Sequence, residues 1–568
     1  MKQPGKVLIR SINRPLCTIL FLITAVVLQG QSLTDLKNTK PFAVNGSLGL
    51  NTAFYNASGI PDRQTPFAFG LNANATLTVY GISMPFSFTW YSNEKAGFHQ
   101  PFNQFGISPT YKWLTLHLGY RNVSFSEFTL NGHTFLGAGL EARPGKFRLA
   151  AVYGKFNETS QYDLLMADSI PKLTRLGWAG KIGYGTEKTF VDVSMLRIGD
   201  NKKNFVPSDN PEYPVPAQNI ALGLTSRISI TSKLIFSVDG SVSFLTPNST
   251  LGTSDTINDR LMLYASNLIS INETSQRFSA VKTSLSYSFS RNVSSAIEYR
   301  RIDPGYQSMG SYFFNNDLEQ VTFNQTFSIL ENKIRARGSI GMQRDNLDGS
   351  KNSTSRRMIG ALSGNYTIDE NWAVDLSYNN FSTNQKAVKN IADNSLMVYQ
   401  VNHSLLLSPR FMKASQSFSH MVMLNLNWMM LNDKNEQTSE MTDTDTKVAM
   451  LMYSMGMLKQ KINISLGANY TNMVNQNYTN KLAGGTLGVS SSLLKDKLTL
   501  NWNNACMINR LNGEDGIILN TALNSNYRFL PKHSVTFNLN WIKNSFADTS
   551  VIPSYNETRG DLGYAFTF

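Results

Sequence analysis

A reactive or metal-binding centre in this chain would have to be assembled from six histidines (His99, His117, His133, His403, His420 and His533) and two cysteines, Cys17 and Cys506. They do not fall into a pattern that chemistry would need. There is no His-Glu-x-x-His, no Cys-x-x-Cys, no Gly-x-Ser-x-Gly and no glycine-rich phosphate loop. His117 lies on the polar side of LTLHLGY, where a serine could in principle pair with it. Catalysis would require that serine within hydrogen-bond reach, and a lone wall histidine more often braces its neighbours. The chain therefore reads as a non-enzyme with no catalytic, cofactor-binding or metal-binding set.

What remains is charge and aromatic surface. The stretch IRARGSIGMQR puts Arg335, Arg337 and Gln343 opposite Ile334, Ala336, Ile340 and Met342, and Lys181 is expected to share the polar side of its own segment. A basic lining raises the local concentration of anions. The plainer alternative is that the arginines pair with inward carboxylates such as Asp239 or Asp375. The stretch IDPGYQSMGSYFFNNDLE, Ile302 to Glu319, gathers Tyr306, Tyr312, Phe313 and Phe314. That cluster is either an aromatic platform or gate, or a loop packing its own rings, and the second is the better expectation. HQPF, His99 to Phe102, is a weaker version of the same thing. Basic residues are scattered rather than clustered, which excludes a nucleic-acid surface.

The elements that must position these groups are legible from composition. Only 16% of the 568 residues are charged, against about 25% in an ordinary soluble protein. The polarity comes from Asn, Ser, Thr and Gly, and there are 33 Phe and 23 Tyr. In TPFAFGLNANATLTVYGISMPFSFTWYS, Phe67, Phe69, Leu71, Leu77 and Val79 fall on one side and Asn72, Asn74, Thr76 and Thr78 on the other. After Gly81 the parity reverses, with Ile82, Met84, Phe86, Phe88 and Trp90 apolar. That is a hairpin of two amphipathic strands. LIFSVDGSVSF, INISLGANY and VTFNLNW repeat the alternation.

Short turns, for instance at Arg143–Lys146, Gly185–Lys188, Glu331–Lys333 and Leu494–Lys497, alternate with longer polar loops around 199–216, 247–273, 303–316 and 382–395. One end of the sheet should thus carry turns and the other loops, as in outer-membrane barrels. In hydrocarbon an open edge would leave backbone amides unpaired at several kcal/mol each, so the sheet must close. The expected fold is all-β: a single closed antiparallel transmembrane β-barrel of about 26 strands (24–26), over residues 42–568. Trp113 and Trp372 follow tight turns, and Trp90 and Trp541 lie near far strand ends, as two interfacial girdles would require. No fixed sequence repeat argues for a solenoid.

The N-terminus has a basic region (Lys2, Lys6, Arg10, Arg14) and a 13-residue apolar run, Leu16 to Leu28. This pattern predicts a secretory signal peptide over 1–31, followed by a short segment, 32–41. Cleavage would lower the formal charge from +13 to +9 and leave Cys506 as the single cysteine.

The ending DLGYAFTF has Asp561, Gly563, Phe566 and Phe568 at the spacing polar–x–Gly–x–x–aromatic–x–aromatic. It resembles the C-terminal assembly signal of Gram-negative outer-membrane β-barrel proteins. The resemblance implies recognition by the barrel-assembly machinery through strand addition, and outer-membrane lipids as surroundings. Ser108–Phe125 and Tyr299–Glu319 also resemble large, plug-less Bacteroidota-type barrels, which implies no particular activity. About ten residues separate the expected cleavage site from Phe42, too few for a plug domain. The expected function is a wide channel or the barrel subunit of a transport or secretion complex. Alternatives are a surface scaffold or adhesin anchored by the barrel, and a TonB-type receptor plugged by a periplasmic or surface partner.

Overall fold

The computed structural model describes residues 41–568, apart from 93–103, 158–172, 254–258, 386–397, 547–552 and scattered positions within 203–213, 313–314, 352–355 and 436–437. The expected signal peptide and all of segment 32–41 except Pro41 lie outside the described residues, as do His99, Phe313 and Phe314.

Twenty-seven strands, β1 to β27 in chain order, form one sheet in which, β4 and β5 apart, each pairs antiparallel with its chain neighbours. Strand β1 (Phe42–Ser58) also pairs with β27 (Tyr555–Thr567) over twelve register positions, Ser47↔Thr567 to Ser58↔Asn556. The sheet is therefore a ring with no free edge, as hydrocarbon demands. Two strands, β4 (Gln104–Ile107) and β5 (Thr110–Tyr111), are pieces of one stave. Both pair with β3 (Ile82–Tyr91) and with β6 (Leu114–Asn122). The break falls at Ser108-Pro109, where proline has no N–H to give the ladder. The barrel thus has 26 staves, the expected number. At about 4.8 Å between strands and a tilt near 40°, a circular barrel of that size is roughly 50 Å across.

Period two sets the faces. Phe67, Leu71, Ile82 and Leu48 are exposed on the outside, where Leu48↔Ala73, Leu50↔Leu71 and Leu71↔Trp90 continue the apolar band from strand to strand. Asn45↔Thr76, Ser47↔Asn74 and Asn74↔Ser87 make the matching inner rows. Tyr80 and Gly81, both at positive φ, form the two-residue turn between them, the geometry a tight hairpin requires. Every connection at the end where both β1 begins and β27 finishes is two to four residues long. The other end is less regular than strict alternation implies: Asn512-Gly513 joins two strands as tightly as any turn, because both residues adopt positive φ.

Among the described residues, the three buried apolar clusters all lie between residues 123 and 318. Two of them, formed by loops, are inside the barrel. The third lies outside it, where a loop carrying a short helix, α1 (Arg260–Ala265), lays Ala265, Ile269 and Ile271 over outward Ile220 and Phe244.

Candidate functional site

Two loops fold into the lumen and stack on one wall. The first joins β6 to β7 (Thr134–Ala142); the second, 303–317, joins β14 (Val293–Ile302) to β15 (Leu318–Ile329). The wall beneath them is built from β10 (Phe190–Asp200), β11 (Gln218–Ser229), β12 (Leu234–Thr246) and β13 (Gln276–Ser288). Outward Val191 and Val193 alternate with inward Asp192, Ser194, Leu196 and Ile198. The last two are fully buried because Leu130 and Met309 of the loops cover them.

The first loop is tied to the wall by two carboxylates, one on each side. Asp239 accepts from Ser126 Oγ at 2.6 Å and from the Glu127 N–H at 3.0 Å. Glu127 pairs with Arg300 and, at 3.2 Å, with Lys282, both inward side chains. The second loop locks onto the first: Tyr306 Oη donates to Phe128 O at 2.5 Å, Ser308 Oγ to Thr129 O at 2.6 Å, and the Asn131 N–H to Gly310 O at 3.0 Å. Asn219, inside β11, accepts from the Met309 N–H at 3.0 Å and donates to Ser243 Oγ and Phe244 O. The loop groups named here each have a partner, as a rigid insert requires, while on the wall the Arg300 Nε is left without one. Burial pushes the Tyr306 phenol well above the usual tyrosine value.

Tyr306 is buried, so its ring offers no face to a solute. Tyr312 is partly exposed, stacks on His133 at 4.2 Å between centroids and accepts from the Thr134 N–H. Lys181 points inward but lies 3.9 Å from Asp192 and over the Phe125 ring. Asp192 is also forked by Arg148 at 2.7 and 3.0 Å. Arg335 and Arg337 stand opposite Ser328 and Thr326 on the inner face, both exposed. The carboxylates expected for them are engaged elsewhere: Asp239 with the first loop, Asp375 with Asn365 at 2.6 Å. At the seam, Asp561 accepts from Asn538, and Phe566 stacks on His533 at 4.8 Å and lies near Phe568. A Cβ on Gly563 would meet Thr536 Oγ1 at 2.5 Å.

His117 has a serine within reach after all. Ser108 Oγ lies 3.0 Å from its Nδ1, and Glu141 Oε1 lies 3.0 Å from its Nε2. Among the described residues the usual backbone donor of an acyl-transfer site is missing. The N–H that follows a nucleophilic serine commonly stabilises the oxyanion, and here that residue is Pro109, which has none. The Ser108 N–H itself donates to Pro85 O. What this trio does is brace the broken stave against β6 and β7. No group of three or more metal-ligating side chains occurs among the described residues.

Away from the insert the inner wall changes character. From β18 (Trp372–Gln385) around through β27 to β3 it is dominated by Asn, Ser, Thr and Gly, for example Asn469, Asn503, Asn524 and Asn538.

No family model matches the chain, and no curated protein matches it. Solved structures similar to it are outer-membrane barrels. The translocation pore of the P pilus usher PapC is 11% identical, with a TM-score of 0.41, over 92% of this chain and 99% of that one. OpdK of Pseudomonas aeruginosa is 9% identical (TM-score 0.30; 93% and 99%). The FrpB iron transporter of Neisseria meningitidis is 11% identical (TM-score 0.37; 95% and 83%). The barrel assignment rests on the chain's own pairing and exposure. A closed ring with an apolar outer band, turns at one end and loops at the other is an outer-membrane barrel.

Proposed function

We propose that the chain forms a wide outer-membrane channel, or the barrel subunit of a transport or secretion complex, narrowed on one side by its own loops. The observation that supports this reading is the asymmetry of the lumen. One wall is covered by a hydrogen-bonded insert, and the rest presents mainly uncharged amide and hydroxyl side chains, interrupted by inward methionines such as Met450 and Met452. A solute or an exported chain passing such a wall meets water-like partners and few fixed charges. Arg335 and Arg337 add a local positive patch without making the whole passage basic. The Bacteroidota-type kinship, the assembly signal at Asp561, Gly563, Phe566 and Phe568, and the absence of enzymatic activity belong to this reading. A serine-reactive fluorophosphonate should leave Ser108 unlabelled; labelling that His117→Ala abolishes would show catalysis instead.

The direct test is planar-bilayer conductance of the purified protein. A large, steady conductance supports the channel. Silence together with a stoichiometric co-purifying protein supports a complex subunit. Silence from a monodisperse barrel without any partner refutes both and favours a surface scaffold.

A further inference from the structure

The outer face carries a row of charge where hydrocarbon should already be giving way to headgroups. Arg301↔Glu319, Glu319↔Arg344 and Arg344↔Arg356 are successive register pairs across β14, β15, β16 (Ile334–Arg344) and β17 (Arg356–Thr367). All four side chains share the outward parity of Val321 and Met342, so they stand side by side at the loop end of the barrel. Arg344 bonds Glu319, Arg301 Nη1 lies 4.0 Å from it, and Tyr299 Oη donates to it at 2.7 Å. Glu319 thus accepts from Arg344 and Tyr299 and sits at ion-pair distance from Arg301, whose Nε lies nearer to Asp303, at 3.5 Å. Arg356 is exposed and, among the described residues, is bound to no carboxylate. Arg344 and Arg356 face each other directly, a like-charge juxtaposition that destabilises a sheet unless an anion lies between.

Directly beneath, one outward register position closer to the turns, Tyr299, Val321, Met342 and Met358 form the next row. Met342 is 73% exposed and Met358 63%. Two residues along a strand are about 6.6 Å, and three strand gaps about 14 Å. A rack of guanidinium groups of that width, just above an open apolar terrace, matches one amphiphile: a phosphate-bearing headgroup with acyl chains below it. Planar arginine forks favour phosphate oxygens in pairs.

We propose that Arg301, Arg344 and Arg356, with Glu319 as spacer and Tyr299 as its anchor, bind the phosphorylated headgroup of an outer-leaflet lipid. The acyl chains lie on Val321, Met342 and Met358, and the headgroup phosphate sits between Arg344 and Arg356. This makes the β14–β17 face a lipid-specific side of the barrel rather than a generic hydrocarbon contact.

Native mass spectrometry of the full-length barrel in detergent tests this. The probe is a bis-phosphorylated, acylated glucosamine disaccharide, compared with the same lipid after phosphate removal and with inorganic phosphate. The expected result is a discrete adduct with the phosphorylated lipid alone, weakened by about tenfold or more in Arg344→Gln/Arg356→Gln and unchanged in Lys495→Gln at the opposite end. Glu319→Gln, which removes the competing carboxylate, should tighten binding several-fold, and it decides the matter if the double variant does not fold. Equal binding of the dephosphorylated lipid, displacement by inorganic phosphate at equal concentration, or indifference to Glu319→Gln overturns the proposal. So does a co-purifying protein that occupies this face in place of lipid.

Discussion

Tyr306 and Gly310 are the residues on which the lumen insert depends most. Tyr306→Phe keeps the packed ring and leaves the Phe128 carbonyl without its donor. The expected cost is about 1–3 kcal/mol of local stability, read as a roughly five- to 150-fold loss of hydrogen-exchange protection in residues 122–134. Because burial raises the folded-state value of this phenol, its contribution is fully present below the usual tyrosine value near ~10 and is lost only as pH rises through the higher folded value. Protection should therefore be flat from neutral to mildly alkaline pH. At Gly310 a Cβ would meet Thr129 O at 2.6 Å and Leu196 Cδ2 at 2.8 Å. A backbone oxygen cannot step aside, so Gly310→Val should lift one loop from the wall and enlarge or destabilise the conductance while the barrel still assembles. Unchanged current and protection would show that the insert does not narrow the pore. Sequence alone placed Asp239 and Lys181 on the inner face, since alternation decides that. It did not show that Tyr306 reaches Phe128, because the two are 178 residues apart and nothing local couples them.

At the scale of elements, the strands were legible and the loops were not. The apolar sets in LIFSVDGSVSF, INISLGANY and VTFNLNW are those the register turns outward, with Phe244 covered there by the helix-bearing loop, because a membrane wall allows a single parity per strand. The segment around Phe125, Phe128 and Leu130 has the same apolar-polar texture yet is a loop turned inward, with its rings covered by the second loop. Ser108-Pro109 marks its break openly, whereas the helix Arg260–Ala265 gave no periodic signal at six residues. The closing strand is the element most exposed to a single change. Phe568 exchanges both backbone bonds with Gly46, at 3.0 and 3.1 Å, and its ring lies beside Phe566. Deleting Phe568 removes both bonds from the seam and the terminal aromatic. The expected outcome is a several-fold drop in heat-modifiable, membrane-inserted protein, with Phe568→Tyr close to the parent. Equal insertion of the deletion would show that closure does not rely on the terminal residue.

For the whole molecule, width and asymmetry matter more than any single group. A ring of 26 staves is wider than the 16–18-stranded porins that already hold an aqueous channel, and the loops cover one arc of it. The remaining arc carries Asn, Ser and Thr, so ion selectivity should be weak, with a modest anion bias that Arg335→Gln/Arg337→Gln removes in reversal-potential measurements under a salt gradient. Composition pointed to this character early, through low charge and abundant Asn. Which arc is covered could be learned only from contacts far apart in the chain.

Polymer exclusion in a planar bilayer measures the width of the passage left beside the insert. Neutral polymers of graded size are added to the protein-containing bilayer, and the conductance is read at each size. The account predicts that small and medium polymers enter and depress the current, with a cut-off that moves to larger polymers in Gly310→Val. A conductance unaffected by even the smallest polymers, in the parent and the variant alike, would mean that the lumen is closed and would contradict it.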